Sequence, residues 1–229
     1  IAEDEDGSLW IATSFGLSRF NRNTGKFTNY FHNSLVPRSI ASNIVLNVYV
    51  DSFHQVWVLT SGVLHRYDRK TNDFTRFPYF NDFFTRNLDS DTNPIFEDSQ
   101  HRIWIGTKDG LFLFDNEHQV FKQFKELGET SYRVLSIYQD VNNVFWVGTS
   151  KGVKTFEYNN RKVTVIHKYQ SALSQVKSQV RCISYSSDSL LWFGLNSGFG
   201  SFSLCTGTFH RFSDLYFNNE PVELVNVNA

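Results

Sequence analysis

Residues 98–114 read Asp98-Ser99-Gln100-His101-Arg102-Ile103-Trp104-Ile105-Gly106-Thr107-Lys108-Asp109-Gly110-Leu111-Phe112-Leu113-Phe114. Two short apolar runs, each of strand length, flank a glycine, and the first is preceded by an acidic residue and a polar turn. Outward from this stretch the same signature recurs. The five tryptophans of the chain, Trp10, Trp57, Trp104, Trp146 and Trp192, stand 47, 47, 42 and 46 residues apart. Ten residues beyond them come Phe20, Tyr67, Phe114, Phe156 and Phe202. Seventeen beyond come Phe27, Phe74, Phe121, Val163 and Phe209, and twenty beyond Tyr30, Phe77, Phe124, Ile166 and Phe212. Six before stand Asp4, Asp51, Asp98 and Asp140, with Ser186 in the fifth copy. A fixed period of this length marks a repeat architecture, and it sets the fold.

Each copy predicts four short strands joined by turns. The first strand ends at the Asp and the second holds the Trp. The third follows Gly16, Gly62, Gly110, Gly152 or Gly198, and the fourth carries the last two ring columns. Three residues before each Trp stand Gly7, His54, His101, Asn143 and Ser189. Gly, Asn and His are enriched at positive φ, so a tight reversal is expected there, its backbone bonded by the preceding Asp. Second strands such as Val144-Phe145-Trp146-Val147 are apolar on both faces, which requires cover on both sides. Two residues after the Trp come Ala12, Leu59, Gly106, Gly148 and Gly194, mostly small enough to admit a neighbouring sheet. Face-to-face stacking of four-stranded sheets meets both demands. The fold class is therefore all-β, a β-propeller of five repeats of four-stranded antiparallel blades, part of a larger propeller.

Composition bounds the partners. Lys and Arg number 22 against 23 Asp and Glu, a net charge of −1 over 229 residues. A nucleic-acid or anionic-membrane surface needs a dominant basic patch, so both are excluded as partners. Aromatic residues make up 17% of the chain, which favours strands. No apolar run approaches the ~18–20 residues of a membrane helix, so this segment is not expected to insert in a membrane. The chain starts at Ile1, has no Met and opens on an acidic run, so it reads as a processed or excised piece. Cys182 and Cys205 fall far short of a disulfide framework.

The stretches Asp4–Phe20, Asp98–Phe114 and Asp140–Phe156 resemble the two-component regulator propeller repeat, as in the periplasmic sensor region of hybrid two-component histidine kinases. The likeness runs from residue 1 to about 214 and is carried by a Trp-Ile/Val-Gly-Thr-x-x-Gly-Leu core. Leu59 and Leu195 depart from its Gly-Thr pair, and the turn glycine is kept only at Gly7. The resemblance implies a periplasmic module that detects carbohydrate breakdown products. Residues 1–214 are then the propeller repeats, and 215–229 a tail leading to a following domain or a closing strand. Other domains of the same sensor are implied as partners, and an unprotected sheet edge allows a homodimer.

No catalytic, metal or cofactor constellation is found. The seven histidines are scattered without ligand spacing. Asp6-Gly7-x-x-Trp10 is similar to the turn box of sialidase-type propellers, but the Asp column recurs in each copy and an active site is used once. The function expected is non-catalytic sensing of an oligosaccharide. The alternatives are a protein-interaction scaffold and a sialidase-like enzyme. The second-to-third turns and the copy-to-copy connectors share one end of a four-stranded blade. From the last ring column to the next Asp the connectors run 21, 21 and 16 positions. Variable loops on a rigid scaffold carry binding. Within one of them Tyr79 and Phe83 suit sugar stacking, and Asn81, Asp82 and Arg86 suit hydrogen bonding to hydroxyl or acidic groups. Lys108, Asp109, Lys151 and Asn196 share that end.

Overall fold

The structure, a computed structural model, describes residues 1–78, 93–124, 132–186, 189–196, 198–212, 215–217 and 220–222. Five four-stranded antiparallel sheets follow the five repeats, each built in chain order. The first holds β1 (Ala2–Glu3), β2 (Leu9–Thr13), β3 (Gly16–Asn21) and β4 (Lys26–Tyr30). The second holds β5 (Val45–Val50), β6 (Val56–Thr60), β7 (Val63–Asp68) and β8 (Asp73–Pro78). The third comprises β9 (Ile95–Glu97), β10 (Ile103–Thr107), β11 (Gly110–Asp115) and β12 (Val120–Gln123). The fourth comprises β13 (Val134–Gln139), β14 (Val144–Thr149), β15 (Gly152–Asn159) and β16 (Lys162–Val165). A four-residue helix, α1 (Gln170–Leu173), precedes the fifth sheet of β17 (Val180–Ser186), β18 (Leu190–Leu195), β19 (Phe199–Ser203) and β20 (Phe209–Phe212). In the tail, β21 (Leu215–Phe217) pairs with β22 (Glu220–Val222). The chain forms two compact units, one of residues 1–105 and 113–122, the other of 106–112 and 123–229.

The turn before each tryptophan has the geometry its sequence demands. Gly7, His54, His101, Asn143 and Ser189 all have φ between 59° and 75°. In the first four copies this residue's N–H donates to the Asp carbonyl, at 2.8–3.0 Å. The Asp side chain then acts in two directions. Asp140 Oδ1 accepts from the N–H groups of Asn142 and Val144 at 2.9 and 3.0 Å, while Oδ2 accepts from Trp146 Nε1 at 2.9 Å. The same Trp Nε1 to Asp Oδ2 bond measures 2.9 Å at Trp10, 2.7 Å at Trp57 and 2.7 Å at Trp104. All four carboxylates are buried. A buried carboxylate is tolerable only when its lone pairs are bonded, and here the turn and the indole bond them.

Within the first unit, Trp10 leaves its own sheet to pack on Val45, Val58, Tyr67 and Phe74 of the second, its ring 4.8 Å from that of Tyr67. Trp57 packs likewise on Ile103, Ile105 and Phe114 of the third. Within the second unit, Trp146 packs on Phe193 and Phe202 of the fifth sheet. Gly148 lies on this same interface: a Cβ there would stand 2.5 Å from the Val180 carbonyl oxygen, so only glycine admits β17 at this separation. Trp10, Trp57, Trp104 and Trp146 are buried as expected. Trp192 is only partly covered, by Phe199 and Phe212 at 5.7 Å each. The reason is positional. Trp10, Trp57 and Trp146 are each sealed by the sheet after their own, and no four-stranded sheet follows the fifth among the described residues.

His65 is the buried titratable group of the first unit that no sequence signal singled out. It is fully buried, and its Nε2 accepts the Ala41 N–H at 2.9 Å, which leaves Nδ1–H to donate to the Val58 carbonyl at 3.0 Å. Burial lowers its pKa from 6.5 to about 4, with the charge of Arg76 acting in the same direction.

Two outcomes are expected. Asp140→Ala strands two buried donors, the Val144 N–H and the Trp146 indole, each worth about 1–3 kcal/mol, so chemical denaturation should show a loss of at least about 2 kcal/mol. The second concerns acid. A depressed histidine pKa means that the folded state excludes the proton. The contribution is therefore full above pH 6.5 and lost as pH falls through about 4, amounting to about 3 kcal/mol. His65→Gln should flatten that limb of the pH–stability curve.

Candidate functional site

The connector between β16 and β17, residues 166–179, joins the fourth and fifth sheets. Tyr169, Leu173 and Val176 are buried, and their i, i+4, i+7 spacing is one face of a helical turn. Leu173 N–H donates to the Tyr169 carbonyl at 2.9 Å and Val176 N–H to that of Leu173 at 3.0 Å. Tyr169 stacks on Trp146 at 5.1 Å and meets Phe202 edge-on at 5.1 Å, so the connector is plugged into the core between the fourth and fifth sheets. Its start is tied to β15 by a reciprocal pair, Ile166 N–H to the Thr155 carbonyl and Thr155 Oγ1–H to the Ile166 carbonyl, both 3.0 Å. Its end crosses the second-to-third turn. Gly152 has φ 109°, and a Cβ on it would collide with the Val176 carbonyl oxygen.

Between this connector, the turn and the outer strands of the fourth sheet lies a cavity of about 670 Å³. That is within the size of small-ligand sites. Val153, Ile166, Leu173 and Val176 give it apolar walls. Lys151, Lys154, His167, Gln170, Ser174 and Lys177 supply the polar groups. Lys154 is half-buried, its Nζ 4.9 Å from the centre of the Tyr132 ring. Burial, and then the charge of Lys151, hold its pKa below the ordinary lysine range. His167 Nδ1 lies 3.1 Å from Gln170 Oε1.

The expected ligand residues Tyr79, Asn81, Asp82, Phe83 and Arg86 lie outside the described residues. Of the four turn residues at the same end, Lys151 lines the cavity. Asn196 Oδ1 is taken by Arg181 Nε at 2.8 Å, and Lys108 is half-buried. Burial raises the Asp109 pKa, and its Oδ2 has no hydrogen-bond partner among the described residues. Lys154, His167, Gln170 and Lys177 were missed. The available signal was the fourth copy's Val163 and Ile166, aliphatic where most copies place rings. A ring in place of Ile166, in the cavity wall, would fill space that the shorter side chain leaves open.

Two other clusters bear on chemistry. Asp115, Glu117 and His118 stand close enough to share a cation, but the Asp115 oxygens already accept from the His118 ring and from two turn N–H groups. Ser52, Glu97 and His101 also meet. Ser52 Oγ is 2.8 Å and Glu97 Oε1 2.9 Å from the same ring nitrogen, His101 Nδ1. A nucleophile relay needs its base between serine and carboxylate, on opposite nitrogens. Asp6 of the sialidase-like box is bound into its own turn, accepting from Ser8 N–H at 2.9 Å and pairing with Arg19 at 2.6 Å.

Residues 128–151 match the two component regulator propeller family model. No curated protein matches the chain. Among solved structures it is similar to the extracellular domain of a hybrid two component system from B. thetaiotaomicron, with 24% identity and a TM-score of 0.71, covering 95% of this chain and 28% of that one. A second such extracellular domain from B. thetaiotaomicron has 21% identity and a TM-score of 0.68, with 87% and 26% covered. Virginiamycin B lyase from Staphylococcus aureus has 17% identity and a TM-score of 0.66, with 95% and 69% covered. At these identities the likenesses speak for the fold, and the chain spans about a quarter of the first two proteins. Among the described residues no helix is long and apolar enough to cross a membrane. The fourth sheet carries the matched two component regulator propeller repeat, and the other four share its strand order and its positive-φ turn.

Proposed function

We propose that this chain is a non-catalytic, periplasmic ligand-sensing segment of a two-component signalling protein, and that its cavity beside α1 takes up an oligosaccharide. The observation that carries this reading is the construction of the cavity. One wall is the rigid fourth sheet, and the other is a connector whose Tyr169 is inserted against Trp146 and Phe202. A ligand bridging the two walls would order the connector and, through Tyr169, bear on the packing of the next sheet. Apolar walls beside hydroxyl, amide and amine groups suit a sugar, which offers CH faces and hydroxyls together. The likeness to extracellular sensor domains supports the location, with other domains of the same protein as partners.

Two observations support a non-catalytic role. The Asp column is used up in turns and indole bonds in the first four copies, and the described residues of the cavity walls include no carboxylate pair of the kind glycoside hydrolysis uses. A protein-contact reading, homodimer included, has its own support in the first unit. There Phe15 and Phe31 meet edge to face at 6.1 Å, with Phe15 78% and Leu35 88% exposed.

Calorimetric screening of neutral and acidic oligosaccharides, with hydrogen exchange read on the bound state, tests the proposal. Saturable binding without product and with slowed exchange in residues 166–179 is expected. Product formation would make the enzyme reading primary, and self-association without glycan binding would favour the interaction scaffold. Gly152→Ala pushes the Val176 carbonyl off the turn and strains the backbone at φ 109°, so it should lower the melting temperature as well as weaken binding tenfold or more.

A further inference from the structure

The described lining of this cavity carries positive charge without a carboxylate. In the first unit Arg19, Arg38, Arg69 and Arg102 each meet a carboxylate within hydrogen-bond reach. The cavity, by contrast, gathers Lys151, Lys154 and Lys177 with His167, and none of its described lining residues is Asp or Glu. Lys154 is the telling member. It is half-buried, its Nζ lies over the face of Tyr132, and burial together with the like charge of Lys151 lowers its pKa. A ring face attracts an ammonium but supplies no acceptor for its three N–H donors. Two amines held on one turn and β-strand, one of them desolvated, repel each other unless an anion lies between them. Nothing in the blade scaffold requires this. The fold-determining columns are the Asp, the Trp, the glycine turn and the rings, and none of these lysines occupies them.

We infer that the cavity is a site for a small organic anion. Its acidic group lies between Lys151 and Lys154, with Lys177 across the opening, and its apolar face rests on Leu173 and Val176. The inference rests on the reading of this cavity as the ligand site and adds the charge of the ligand. A carboxylate and a sulfate ester share the chemistry required, since both present several acceptor oxygens to separate ammonium groups. Lysines that serve as separate point charges fit either one.

The test uses digalacturonic acid, lactose 6′-sulfate and lactose, titrated into the whole chain while the methyl groups of Leu173 and Val176 are followed by NMR. Both acids, or one of them, should bind at least tenfold tighter than lactose, and the preferred acid identifies carboxylate or sulfate as the group read. The preference should shrink several-fold between 0.05 and 0.5 M NaCl, as screening of exposed amines requires. The double variant Lys151→Ala/Lys177→Ala, altered at exposed positions only, should lose most of the preference. Lys154→Met, which keeps the buried stem, should lose it as well. Lactose binding as tightly as the acids, or an acid preference that survives both variants, overturns the assignment. So does the absence of saturable binding by either acid. If lactose shifts the Leu173 and Val176 methyls while the acids show no advantage, the cavity stands as the ligand site and only the charge assignment falls. If an acid binds without moving those methyls, the cavity itself is not the site.

Discussion

The bond from a buried tryptophan indole to a buried aspartate carboxylate is the constraint on which these sheets depend. Its two ends solve each other's problem. An indole N–H sealed between sheets needs an acceptor, and a carboxylate at the end of a first strand needs donors. Because the other carboxylate oxygen closes the turn, a single side chain fixes the reversal between first and second strands. It also fixes the depth at which the tryptophan sits, and hence which residues of the following sheet it meets. At Asp140 and Trp146 the bonded pair leads directly to the packing on Phe193 and Phe202. Asp4 extends the scheme. Arg69, from the hairpin of the second sheet, donates to both of its oxygens, and the arginine with the indole keeps the acid ionised against the cost of burial. Carboxylates so engaged hold structure and leave none of their capacity for acid–base work.

Fixing the Asp–Trp end of the first four sheets leaves the opposite end free to vary. There the chain passes from one sheet to the next, and there the glycine turns bring backbone close to backbone. In the second unit Gly152 accommodates the Val176 carbonyl, and in the first Gly16 N–H donates to the Asn43 carbonyl at 2.6 Å. A connector pressed onto a glycine turn can bury a few apolar side chains of its own, as Tyr169, Leu173 and Val176 do, and hold polar ones around a hollow. The scaffold thus separates two tasks: one end is locked by a repeated bond, and the other carries sequence unique to each copy.

The turn chemistry was legible from residue types alone, with an instructive exception. Gly7, His54, His101 and Asn143 announce a positive φ by their side chains, whereas Ser189 does not, yet it adopts φ 61°. The surrounding strands impose the turn, and serine bears the cost because register on both sides leaves no other path. Trp192 teaches the converse. Its sequence position equals that of the other four, but burial of a side chain is a property of what lies opposite.

By itself the sequence determined the period, the strand order, four of the five positive-φ turns and the glycine close to a neighbouring sheet. All of these follow from local chemistry repeated at fixed spacing, and repetition makes a weak local preference readable. Only the tertiary structure decided that Lys151 on a turn, Lys154 on a strand and Lys177 beyond α1 surround one hollow, and that His65 is sealed between Ala41 and Val58. These residues belong to no column. The three lysines are brought together by the path of one connector, which is set by long-range packing of Tyr169, Leu173 and Val176 into a core that no single repeat contains.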